Sequence, residues 1–133
     1  MSEMIKRQSP GGARWWTVAI INAAVTLASG GFAAAAAVKP GVLLPEGQEA
    51  TPAATFYARY FAARSVPLAA MVVVLTLRKS TNRLSALLVL AGLVQAADAL
   101  IGASYRNRAQ TLAPALVAAF HLASARWLLR DRP

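Results

Sequence analysis

Four stretches of the chain are nearly free of charge, and short polar links separate them: Trp15–Val38, Phe56–Leu77, Leu84–Ala103 and Leu112–Leu129. Each has roughly the 17–25 residues that a helix needs to cross a bilayer. The pattern predicts an all-α fold. It is a four-transmembrane-helix antiparallel bundle, with residues 1–14 as an N-terminal tail and 15–133 as the transmembrane domain. The link at 39–54 carries Pro40, Pro45 and Pro52 and reads as an outer loop. Thr51 followed by Pro52 suits a helix N-cap and first turn, so the second helix can begin before its apolar run. Arg78–Arg83 and Ser104–Thr111 read as tight polar turns between antiparallel neighbours.

Composition agrees with the pattern. Of 133 residues, 57% are hydrophobic and 14% charged, against roughly 25% charged in soluble domains. The chain has no cysteine and a single histidine, His121. A disulfide framework, a thiolate nucleophile and a multi-histidine metal site within one chain are therefore excluded, and neither metal nor cofactor is expected. The net charge of +9 sits beside the apolar runs. It points to the lipid bilayer and its anionic headgroups rather than to nucleic acid, for which the chain has no separate basic domain.

The basic residues also set an orientation. Lys6, Arg7, Arg14, Arg78, Lys79, Arg83, Arg126, Arg130 and Arg132 fall on one side, and Lys39, Arg106 and Arg108 on the other. The positive-inside rule then puts both termini in the cytoplasm. Trp15, Trp16 and Trp127 are expected at the cytoplasmic interface, and Tyr57, Tyr60 and Tyr105 at the outer one, as aromatic belts. The N-terminal run resembles a secretory leader. It is longer than a usual leader core, and its removal would leave three helices, so it is expected to be retained.

Ionisable groups inside spans are costly and usually paired or functional. Arg59 lies roughly 5 Å into the second helix and can snorkel to the surface, whereas Arg64 lies about 12 Å in. Asp98 is about 8 Å from the outer end of the third helix, and His121 is near the middle of the fourth. Arg64, Asp98 and His121 are thus expected in one outer-to-middle layer. Tyr57, Tyr60, Phe61 and Arg64 share a stripe of the second helix, and Gln95 and Asp98 share a face of the third. Asn22 lies deeper in the first helix. These groups outline a polar pocket with Tyr57 and Tyr60 at its rim. Each has a plainer role as well. Arg64 and Asp98 suit a structural ion pair, Asn22, Gln95 and His121 suit hydrogen bonding between helices, and Arg59, Tyr57 and Tyr60 suit interface anchoring. Pro67 is expected to kink the second helix below Arg64.

The sequences "RYFAAR" opening the second helix, "AADAL" late in the third and "AAFHLASA" in the fourth together resemble the DoxX-like group of small four-helix bacterial membrane proteins. The resemblance covers roughly Tyr57–Leu129. "SVPLAA" after Arg64 departs from the group's pattern, which often has a glycine-rich turn there. The resemblance implies a four-helix bundle in the bacterial cytoplasmic membrane with a polar intramembrane cluster, and it implies little about chemistry. The sterol-isomerase-like four-helix fold offers an analogy of architecture only.

Three functions compete. One is a site for a lipophilic small molecule, lined by Tyr57, Tyr60, Arg59, Gln95 and Asn22. There Asp98 and His121 would act as acid and base, with Arg64 stabilising an oxyanion, in an isomerisation, cyclisation or hydrolytic ring opening. Another is an accessory subunit of a membrane complex, or a homo-oligomer, joined through small-residue faces such as "GGFAAAAA". The third is a small transporter, which the absence of an acidic residue from the first helix disfavours.

Overall fold

The computed structural model describes residues 12–44 and 46–130. Lys6, Arg7 and Arg132, counted above for orientation, lie outside the described residues, as does most of the tail at 1–14. The described chain is all-helical: α1 (Ala13–Val38), a 3-10 turn (Pro40–Leu43), α2 (Pro52–Leu77), α3 (Thr81–Ser104) and α4 (Arg108–Arg130). All four α-helices are long and apolar enough to cross a membrane.

Local chemistry sets the helix ends. The Thr51 hydroxyl accepts the Ala54 N–H, and Pro52 occupies the first turn, so α2 starts ahead of its apolar run. Asn107 Oδ1 accepts the Gln110 N–H at 3.1 Å and opens α4 at Arg108. Pro114 therefore lies inside α4 rather than in its first turn. Pro67 is likewise inside α2, which continues through it to Leu77. Each proline removes one backbone hydrogen bond without ending its helix.

The α2–α3 and α3–α4 turns close in the same way. The Ser80 N–H reaches the Leu75 carbonyl and the Asn107 N–H reaches the Gly102 carbonyl. Between them, Lys79 and Arg106 adopt positive φ values of 51° and 53°. This left-handed closure satisfies carbonyls that the helix ends leave open.

The buried stripe of α1 includes Ala19, Asn22, Thr26, Gly30 and Ala33, at the three-and-four spacing of one helix face. Helix α1 packs extensively along α2, and α3 along α4, while α2 meets α3 and α1 meets α4 over shorter stretches. Small residues bring the helices of each pair together. A Cβ on Gly30 would lie 2.9 Å from the Ala69 Cβ, and one on Gly92 would lie 2.7 Å from Leu122 Cγ.

A buried apolar cluster joins the two pairs at one end. It includes Trp15 from the start of α1, Leu75 from the end of α2, Leu84 from the start of α3 and Leu128 from the end of α4. Trp15 is buried, and its indole Nε1–H donates to Thr81 Oγ1 at 3.1 Å. It is thus a packing residue at this end, where the sequence placed it in an interface belt. Trp16 keeps more of an interface character, with the Lys79 ammonium 5.4 Å from its ring centre.

Gly30 and Gly31 are adjacent, yet they have opposite surroundings. A Cβ on Gly31 would meet nothing within 4 Å. Gly30→Val is expected to destabilise the fold by about 1–3 kcal/mol, the usual cost of overpacking, and Gly31→Val to be near neutral. Melting of the two variants in mild detergent checks this; equal melting temperatures would contradict the assignment of Gly30 to the α1–α2 contact.

Candidate functional site

The structure forms two polar pairs. The first joins α2 to α3. Arg64 Nη2 donates to Asp98 Oδ1 at 2.9 Å. Arg64 also lies over the Phe61 ring, with Cζ 5.7 Å from its centre, and Phe61 meets Phe32 of α1 edge-on at 6.5 Å. The guanidinium is therefore held from two directions. It is not enclosed: the Arg64 side chain is 49% exposed, and that of Asp98 is 21% exposed. A guanidinium has five N–H donors, and the link to Asp98 uses one nitrogen.

The exposed side of this pair is aromatic. Tyr57 and Tyr60 are 70% and 64% exposed. Phe56 packs against both, with ring centres 5.7 Å and 4.8 Å apart. Residues 57, 60 and 64 follow the three-and-four spacing of one helical stripe, so the tyrosines stand above Arg64. Arg59 is exposed, and Gln95 is half-buried and joins neither polar pair.

The second pair joins α1 to α4. His121 and Asn22 are 1% and 0% exposed, and His121 Nδ1 lies 2.7 Å from Asn22 Oδ1. The Asn22 amide nitrogen donates to the Val18 carbonyl at 2.8 Å, which turns Oδ1 toward the ring. An oxygen acceptor requires a donor opposite it, so Nδ1 carries the imidazole proton. The Thr26 hydroxyl donates to the Asn22 carbonyl at 2.6 Å, adding a third polar residue to the same buried layer.

The two pairs are separate. Gly92 of α3 packs against Ala118 and Leu122 of α4, which places His121 level with about residue 91. Asp98 is some seven residues further along α3, an axial offset of about 10 Å. The sequence places Asp98, Arg64 and His121 in one layer. The structure brings Arg64 to Asp98, and His121 to Asn22, but not one pair to the other. Among the described residues, no hydrogen bond joins Asp98 to His121.

Sequence reasoning also missed the buried hydroxyl of Thr76, which has no hydrogen-bond partner among the described residues. Threonine in an apolar helix usually bonds its own backbone, so composition carried no signal for it. A signal for Thr26 was present, four residues after Asn22. Among the described residues, no group of three or more histidine, cysteine, aspartate or glutamate side chains could hold a metal ion. Compared with protein-family models, curated proteins and solved structures, the chain matches none.

Removing one partner of a buried hydrogen bond costs about 1–3 kcal/mol, whereas replacing both with apolar groups can be nearly neutral. Asn22→Leu and His121→Phe are each expected to lower the melting temperature, with the double variant more stable than the sum of the single losses predicts. Strict additivity in that cycle would contradict a direct Asn22–His121 interaction.

Proposed function

We propose that the chain is a DoxX-like protein of the bacterial cytoplasmic membrane that binds a lipophilic small molecule beside Arg64 and Asp98. One observation carries this reading: the Arg64 side chain is half-exposed, although it lies well inside an apolar helix. A charge at membrane depth normally faces protein or water. Arg64 is already oriented by Asp98 and Phe61, and its remaining N–H donors can take an oxygen from outside the protein. Asp98 offsets the positive charge, which favours a neutral carbonyl or hydroxyl over a carboxylate. Phe56, Tyr57 and Tyr60 supply an apolar surface for the rest of such a molecule.

The proposed architecture is an antiparallel bundle with both termini in the cytoplasm. The cluster of Trp15, Leu75, Leu84 and Leu128 supports the alternating helix directions, and the basic residues support the orientation. Binding is better supported than turnover, since the offset of His121 from Asp98 leaves no acid–base pair at one reacting atom. A subunit role is the second reading. It is favoured by the exposed small-residue face of Ala24, Ala28, Gly31 and Ala35 on α1, and a stoichiometric partner that co-purifies in mild detergent would support it.

Native mass spectrometry of the protein extracted from its host membrane tests the binding reading. The wild type is expected to carry an adduct of uniform mass. Arg64→Leu/Asp98→Leu, which removes both charges together, is expected to lose it while keeping its helical content. An adduct unchanged in the double variant would contradict the site. The orientation is checked separately. A C-terminal alkaline phosphatase fusion is expected to be inactive and a C-terminal fluorescent-protein fusion bright, and the reverse pattern would overturn it.

A further inference from the structure

A second feature lies toward the opposite end of the helices from Arg64 and Asp98. A groove of about 560 Å³ is lined by Val89, Leu122, Arg126, Leu129 and Arg130. It therefore runs between α3 and the final turns of α4. Leu122, Arg126 and Arg130 are spaced by four and share one face, and the interval from Leu122 to Arg130 is about 12 Å along the axis. The groove is thus graded, with apolar walls toward the middle of the helices and two guanidinium groups toward the end.

Both arginines are exposed, and neither forms a salt bridge among the described residues, where the recorded bridge is Arg64–Asp98. The acidic residues described are Glu46 and Glu49, in the loop before α2, and Asp98. None of them lines the groove. Arg14, Arg78, Lys79 and Arg83 lie in the first or last turn of a helix, or in the α2–α3 turn, at the same end, but none of them lines the groove. Asp131 follows Arg130 in sequence and lies outside the described residues.

We propose that this groove binds one anionic phospholipid, with its phosphate between Arg126 and Arg130 and an acyl chain along Val89 and Leu122. Charge complementarity selects an anion, and the apolar walls select one with a hydrocarbon tail. Free phosphate would leave those walls unmatched. A protein helix seated there would have to supply acidic groups for both arginines beside the apolar face that Val89 and Leu122 require. Basic residues at a membrane surface each contribute about 1 kcal/mol of attraction to anionic lipid. The site is independent of the Arg64 reading, and either can fail without the other.

The test is a lipid titration of the full chain in non-ionic detergent, read by native mass spectrometry. Phosphatidylglycerol and phosphatidylcholine with the same acyl chains are the probes. Phosphatidylglycerol is expected to bind the wild type with one strong site, and Arg126→Gln/Arg130→Gln to weaken it about thirtyfold. Arg14→Gln/Arg83→Gln removes the same charge at the same end outside the groove and is expected to change binding little. Arg126→Lys/Arg130→Lys keeps the charge and is expected to retain most of the binding, which guards against misfolding of the glutamine variant. Equal binding of phosphatidylcholine, or equal losses in the two glutamine variants, would overturn the proposal. Displacement of the lipid by inorganic phosphate at the lipid's own concentration, or a dimer that depends on Arg126 and Arg130, would overturn it too.

Discussion

A polar side chain in the hydrocarbon region must find its partner within the protein, because lipid offers none. Asn22 and His121 meet that constraint together. Asn22 uses its amide nitrogen on its own helix and its oxygen on His121, so the orientation of each side chain is determined by the other. This hydrogen bond links α1 to α4, where the contact between the two helix pairs is short. Many of the other buried residues are alanine or glycine, which allow close approach but bury little area per residue. A directional bond therefore specifies the register of the two pairs more sharply than the apolar contacts around it.

Arg64 and Asp98 satisfy the same constraint only in part. The ion pair supplies one hydrogen bond, and the aromatic contact with Phe61 supplies a second restraint, yet half of the arginine side chain remains uncovered. The contrast with His121 separates an enclosed pair from an exposed one. The buried pair is closed, while the exposed pair is held by one hydrogen bond and one aromatic contact and leaves half of the arginine side chain uncovered. Its aromatic neighbours are also exposed, so the same helical stripe presents a hydrogen-bond donor and an apolar surface side by side.

Much of the fold was legible in the sequence, because apolar runs of bilayer length with so few charges leave few alternatives to spanning helices. The pairing of Arg64 was legible for a similar reason, since Asp98 is the one acidic residue within the four apolar runs. The partner of His121 was not. Residue counting gives depth along a helix, but the offset between neighbouring helices depends on their turns and contacts. Helix α4 opens at Arg108 because Asn107 caps it, and Gly92 and Gly102 set its level against α3. That register carries His121 past Asp98 to Asn22. Trp15 shows the same limit, because an aromatic at the start of a span reads as an interface residue until its neighbours are known. Here Thr81 and the apolar cluster surround it.

The proposed function requires the uncovered side of Arg64 to receive a lipophilic molecule. The most direct measurement places a photoreactive benzoylphenylalanine at Tyr60, one turn from Arg64, and irradiates the protein in its host membrane. A crosslinked adduct of one small-molecule mass is expected, greatly reduced when Arg64 is replaced by leucine. Adducts made up of bulk phospholipid or a second polypeptide, in amounts unaffected by that replacement, would contradict it.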